Sequence, residues 1–161
     1  MPTSDLAGIL AALQKRTGES FDAASFDTRL RIQKSIYLLK AFRFAPATSY
    51  SFSDYFHGPY SPNLAKDYYG LLADRSSRQT PHAAAPIRIP ETILHAIDDA
   101  VRRGNDFLEA SATIHSLATR YHGLPVGQIR ALFEPMKPRI AGNFEEAWHF
   151  LRENGLVAAH T

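Results

Sequence analysis

The stretch "YSFSDYFHGPYSPNLAKDYYGLL", Tyr50 to Leu72, sets the reading of the whole chain. Five of the seven tyrosines and two phenylalanines fall inside it, around one Gly-Pro pair. Its first part alternates, with Tyr50, Phe52 and then Phe56 on one side, which predicts a short strand. "HGPYSP" reads as a turn, with Gly58, Pro59, Ser61 and Pro62 as its structural residues. Ser61 is a good helix N-cap. Pro62 suits the first helical position because proline lacks an amide that would be unpaired there. Leu64, Tyr68, Leu71 and Leu72 then recur at helical spacing. A strand, a turn and a helix in so short a span predict a helical protein with a small β element, not a sheet protein.

Upstream, "RLRIQKSIYLLKAF" (Arg29 to Phe42) places Leu30, Ile32, Ile36, Tyr37, Leu38, Leu39 and Phe42 over more than half of a helix circumference. Such a helix is largely central. Asp27 is the cap expected for it, and its charges, Arg29, Arg31, Lys34, Lys40 and Arg43, are all positive. Before it, Leu6, Ile9, Leu10 and Leu13 mark a first helix that Gly18 stops. Downstream, "RSSRQTPHAAAPIRIP" (75–90) reads as a surface linker and the best internal boundary. Ile93, Ile97 and Val101 mark the next helix, which ends at Gly104. Asp106 with Glu109 resembles a capping box. Phe107, Ala110, Ile114, Leu117 and Tyr121 continue as a helix stopped near Gly123. Val126, Ile129 and Leu132 mark a short helix ended by Pro135 and Pro138. Asn143 with Glu146 resembles a second cap pair, before Phe144, Ala147, Trp148 and Leu151. "LVAA" follows as a candidate strand.

The fold expected is therefore mostly α with a short β element: about seven helices and a small hairpin or wing, winged-helix-like in its order. A chain of 161 residues with 45% hydrophobic and 21% charged content suits a single domain over 1–161 with a sizeable core. Residues 1–74 and 91–161 would be sub-units of it, linked by 75–90. No cysteine is present, so there is neither a disulfide nor a thiolate nucleophile. The start has no basic n-region and its apolar positions are periodic, unlike a secretory leader. No apolar run approaches the ~20 residues that span a bilayer. A cytoplasmic protein is expected, with no membrane association.

His57, His82, His95, His115, His122, His149 and His160 form no HxxxH or HExxH pair, so no metal site and no cofactor is expected. No GxSxG elbow or phosphate loop occurs. A hydrolase would have to use His57 with Ser61, and only Asp54 and Asp67 stand close in sequence. Nucleic acid is the stronger alternative, since Arg29, Arg31, Lys34, Lys40 and Arg43 could meet phosphates. Against it, a recognition helix at 143–154 would present Glu145, Glu146 and Glu153 against the single Arg152. Tyr50, Phe52, Phe56 and Tyr68 sit at core-facing spacings. Tyr55, Tyr60 and Tyr69 divide evenly between core and interface, because rigid aromatic rings with a polar tip are also what interfaces use.

The helix "RLRIQKSIYLLK" followed by "YSFSDYFHGPYSPNLAKDYYGL" resembles a known pattern: a QK-bearing helix, a strand, a GPYS turn and a helix. The pattern is that of the YwgA-like bacterial proteins and, more distantly, of Panacea (SocA-like) antitoxin domains and the C-terminal region of DarG-type antitoxins. "LEASATIHSLATRY…MKPRI…FEEAWHFLRENGLV" is similar to the YwgA-like tail. The matching positions are Gln33, Lys34, Tyr37, Gly58, Pro59, Tyr60 and Ser61. The resemblance implies a winged-helix-like fold without catalysis, working by protein contact as an antitoxin or an accessory subunit of a toxin-antitoxin or phage-defence locus. On this reading Tyr55, His57, Tyr60 and Tyr69 form the partner contact, and a homodimer is possible. A DNA-binding regulator is the alternative, and a small hydrolase using His57 a further one.

Overall fold

A computed structural model describes residues 3–73 and 85–158. Most of the 75–90 linker, with His82, lies outside the described residues, as do His160 and the end of the "LVAA" segment. Seven α-helices and one hairpin make up the described chain: α1 (Thr3–Thr17), α2 (Phe26–Ala41), β1 (Ser53–Tyr55), β2 (Gly58–Tyr60), α3 (Pro62–Ala73), α4 (Glu91–Arg102), α5 (Asn105–Arg120), α6 (Val126–Met136) and α7 (Phe144–Glu153). The mostly-α class with a short β element is thus the class observed. Among the described residues no helix is long and apolar enough to cross a membrane.

The apolar stripes behave as their periodicity requires. Leu6, Ile9, Leu10 and Leu13 of α1 are fully buried, as are Ile32, Ile36, Leu38 and Leu39 of α2. One core cluster joins these to Leu64 and Tyr68 of α3, Ile97 of α4, Phe107 and Ile114 of α5, Phe133 of α6 and Phe150 of α7. Helix α2 packs on α5, α1 on α4, and α5 also meets α6, α7 and β2. Helix α5 is therefore the hub, buried on most sides.

Several local expectations need correction. Ser25, not Asp27, caps α2: its Oγ accepts from the Thr28 amide at 3.1 Å, and Thr28 Oγ1 accepts from the Ser25 amide at 3.1 Å. A complete capping box satisfies more orphan amides than a lone aspartate would. Asp106 with Glu109 makes no box. The cap of α5 is Gly104, without a side-chain bond, and Glu109 is buried instead. Asn143 also makes no side-chain cap bond. In α6 the buried face carries Ile129 and Phe133, while Leu132 is exposed and Pro135 lies inside the helix. Leu156 and Val157 are partly buried against the core without forming a strand. At the end of the predicted linker, the Ile87 amide donates to the Gly8 carbonyl at 3.0 Å and Ile89 is buried. That part is docked on α1, not free on the surface.

The hairpin differs most from its expected form. Gly58 and Pro59 do not turn the chain. They lie in β2, antiparallel to β1 with Tyr55 opposite Gly58 and Asp54 opposite Pro59. The turn is Phe56–His57, two residues earlier. Phe56 is accordingly not a core residue: it sits at the tip, 90% exposed. Ser61 Oγ accepts from the Leu64 amide at 3.2 Å, and Pro62 opens α3.

Candidate functional site

The site is built from the base of the hairpin upward. Two adjacent residues of α2 grip the backbone of β2. The Gln33 side-chain amide donates to the Ser61 carbonyl at 3.0 Å and accepts from the Ser61 amide at 2.9 Å. Lys34 Nζ donates to the Pro59 carbonyl at 2.7 Å. Both side chains are buried. The sequence pair Gln-Lys thus supplies a partner to the Pro59 carbonyl and the Ser61 amide, and a second donor to the Ser61 carbonyl, which also accepts from the Ala65 amide. Tyr37, one turn further on, meets His115 of α5, with its hydroxyl 2.7 Å from Nδ1. Burial pulls the His115 imidazole down to about 4 and pushes the Tyr37 phenol up, so both stay neutral at physiological pH.

From the far side, α5 and the chain after α6 complete the clamp. Glu109 of α5 is 2% exposed. Its carboxylate lies 3.0 Å from Arg139, 3.5 Å from Lys137 Nζ and 3.6 Å from His57 Nδ1. Lys137 Nζ also donates to the Phe56 carbonyl. A buried carboxylate without partners would be very costly, and this one has three partners from two segments, the hairpin and the chain after α6. Burial pulls the Lys34 ammonium down to about 7; Glu109 pulls it back up and Lys137 pushes it further down.

Gly58 lets the hairpin approach this closely. Its φ is +88°, and a Cβ there would stand 2.5 Å from Thr113 Oγ1 on α5. Only glycine adopts this conformation readily and leaves that space.

Above the clamp, α2, the hairpin and α3 enclose a groove of about 460 Å³, within the range of ligand and peptide clefts. Tyr55, His57, Tyr60 and Tyr69, the four residues expected to contact a partner, all line it. Phe26, Arg29 and Phe56 add to its walls, with Gln33, Lys34 and Tyr68 below. Tyr55 and Tyr69 are 54% and 47% exposed, while Tyr60 is only partly buried. The rings brace one another: Tyr55 on Tyr60 edge to face at 5.0 Å, and Phe26 on His57 likewise at 5.0 Å. Tyr68 is buried and packs against Tyr69 at 5.0 Å. The Arg29 guanidinium lies 5.9 Å above the Tyr69 ring, with one nitrogen donating to the Ala23 carbonyl.

The cations proposed for phosphate contact do not form one surface. Lys34 is buried and cannot reach a phosphate, so it leaves that set. Arg31 donates to the Ser20 carbonyl at 2.5 Å and faces Glu19. Lys40 donates to the Tyr50 carbonyl at 2.5 Å. Arg43 is exposed at φ +62°, just past the end of α2. The carboxylates near His57 in sequence, Asp54 and Asp67, are also engaged elsewhere. Asp67 accepts from the Tyr50 hydroxyl at 2.5 Å, and Asp54 binds Arg120 and Ser116. Ser61 is fully buried beneath Gln33. The carboxylate His57 meets is Glu109, which the sequence had assigned to a helix cap.

Sequence reasoning missed Glu109, Lys137 and Phe26. A signal existed for the first. Glu109 interrupts an apolar helix face between Phe107, Leu108 and Ala110, and a charge there demands an internal partner. Among the described residues no group of three or more histidine, aspartate or glutamate side chains is placed to hold a metal ion. Comparison of the chain with protein-family profiles, curated proteins and solved structures returns no match.

Proposed function

We propose that this chain is a protein-binding regulator that acts by contact, without catalysis, as an antitoxin or accessory subunit in a toxin-antitoxin or phage-defence setting in the cytoplasm. The carrying observation is the groove itself. It gathers four solvent-facing rings, those of Phe26 on α2, Tyr55 and Phe56 on the hairpin and Tyr69 on α3, around a hairpin that is clamped from below. Exposed aromatic residues on a preorganised base are what partner hot spots require, because little side-chain freedom remains to be lost on binding. The antitoxin setting rests on the QK helix and the GPYS segment, whose family resemblance implies it. The polar groups of those motifs are used inside the fold, so the proposed contact falls to the rings around them.

The test is affinity capture from the native host with chemical cross-linking, comparing the natural chain with a Tyr55→Ser/Tyr69→Ser variant. Both substituted positions are half exposed, so the variant keeps its fold. A partner that cross-links through the hairpin and is lost from the variant supports the reading. In the antitoxin case, co-expression of the natural chain, but not the variant, also relieves the growth defect caused by that partner. A partner retained by the variant at full yield would sink it.

A further inference from the structure

We infer that the groove takes a partner segment in which an acidic side chain sits beside an aromatic one. This rests on the reading of the groove as a partner surface. Its lining is one-sided: Arg29, Lys34 and His57 belong to it, and no aspartate or glutamate does. The nearby Glu109 is enclosed beneath and engaged by Arg139 and Lys137.

Arg29 is the best placed of the three. Its guanidinium is only partly buried and is held by the Ala23 carbonyl and the Tyr69 ring. One nitrogen makes that bond, which leaves the other donors of the fork for an incoming carboxylate. An aromatic neighbour of that carboxylate would enter among Tyr55, Tyr60, Tyr69 and Phe26, where edge-to-face pairing is already established. Lys34, below, is buried on the Pro59 carbonyl and offers no surface of its own. A basic segment would meet like charge, and a purely apolar one would leave Arg29 desolvated and unpaired.

Fluorescence anisotropy with three labelled heptapeptides tests this. They are identical except at the centre: Phe-Glu-Phe, Phe-Gln-Phe and Phe-Lys-Phe, flanked by Gly and Ser. The glutamate peptide should bind at least tenfold more tightly than the glutamine one, and the lysine one should be weakest. Raising salt should narrow the gap. Arg29→Met should abolish the preference while leaving the circular dichroism spectrum unchanged. Tyr69→Ser should weaken the first two peptides alike. Equal affinity of the glutamate and glutamine peptides, or failure of all three to bind, overturns the acidic preference. In either case, loss of the captured partner from Tyr55→Ser/Tyr69→Ser would still uphold the groove as the partner surface. Two other results also overturn it: a dimer in sedimentation that Phe56→Ser disperses, or an oligonucleotide that displaces the peptide. The first would make a second copy the occupant, and the second a nucleic acid.

Discussion

Replacing Gly58 by alanine should test the hairpin clamp most directly. Two separate costs follow from the structure. The backbone at φ +88° is left-handed, which a Cβ disfavours by about 1–2 kcal/mol. The same Cβ would stand 2.5 Å from Thr113 Oγ1, an overpacking of the kind that costs about 1–3 kcal/mol. Together they predict a loss of about 2–5 kcal/mol, or roughly 2–4 °C of melting temperature per kcal/mol in a chain of this size. Thr113→Ala separates the two. It removes a buried hydroxyl that has no hydrogen-bond partner together with a buried methyl, so by itself it should cost about 1–2 kcal/mol. The double variant should recover the steric share of about 1–3 kcal/mol and keep the conformational share. Urea unfolding followed by circular dichroism reads all four corners of the cycle. Strictly additive losses would show that the close approach to α5 is not what requires glycine.

Three further outcomes are expected. Gln33→Leu leaves the buried amide of Ser61 unpaired, while the Ser61 carbonyl keeps the Ala65 amide, and should cost about 1–3 kcal/mol in the same assay. Lys34 gives a pH signature. Its folded pKa of about 7 lies below its ordinary value of 10.5, so between those values the unfolded chain holds one more proton and stability rises with pH. The stability of the natural chain relative to Lys34→Met should therefore grow by about 2 kcal/mol from pH 7 to pH 9, and a flat difference would show that the lysine is not desolvated. Phe56→Ser, at the exposed hairpin tip, should move stability by less than about 0.5 kcal/mol; a larger loss would place that ring in the core of the protein in solution.

Much of the fold was legible in the sequence. Helical periodicity alone placed the buried faces of α1, α2, α3 and α7, because those stripes repeat over several turns. The Ser61-Pro62 start of α3 was legible too, since capping chemistry is local. Residues expected at the groove also came together there: Tyr55, His57, Tyr60 and Tyr69 lie close in sequence, on one hairpin and the helix after it. What the sequence could not fix was which groups meet across the fold. Glu109 followed Asp106 at capping-box spacing, yet its partners Arg139 and Lys137 come from 28 or more residues away. Lys34 looked like one of five surface cations until packing of α2 against β2 and α5 enclosed it. Gly58 and Pro59 have the composition of a turn, but Lys34 binds the Pro59 carbonyl and Thr113 leaves room only for a glycine at 58, which fits them as a strand. Local spacing determined the elements and the aromatic face. Only the tertiary structure decided which polar groups were desolvated, because burial and pairing depend on what packs opposite, and that is not written in neighbouring residues.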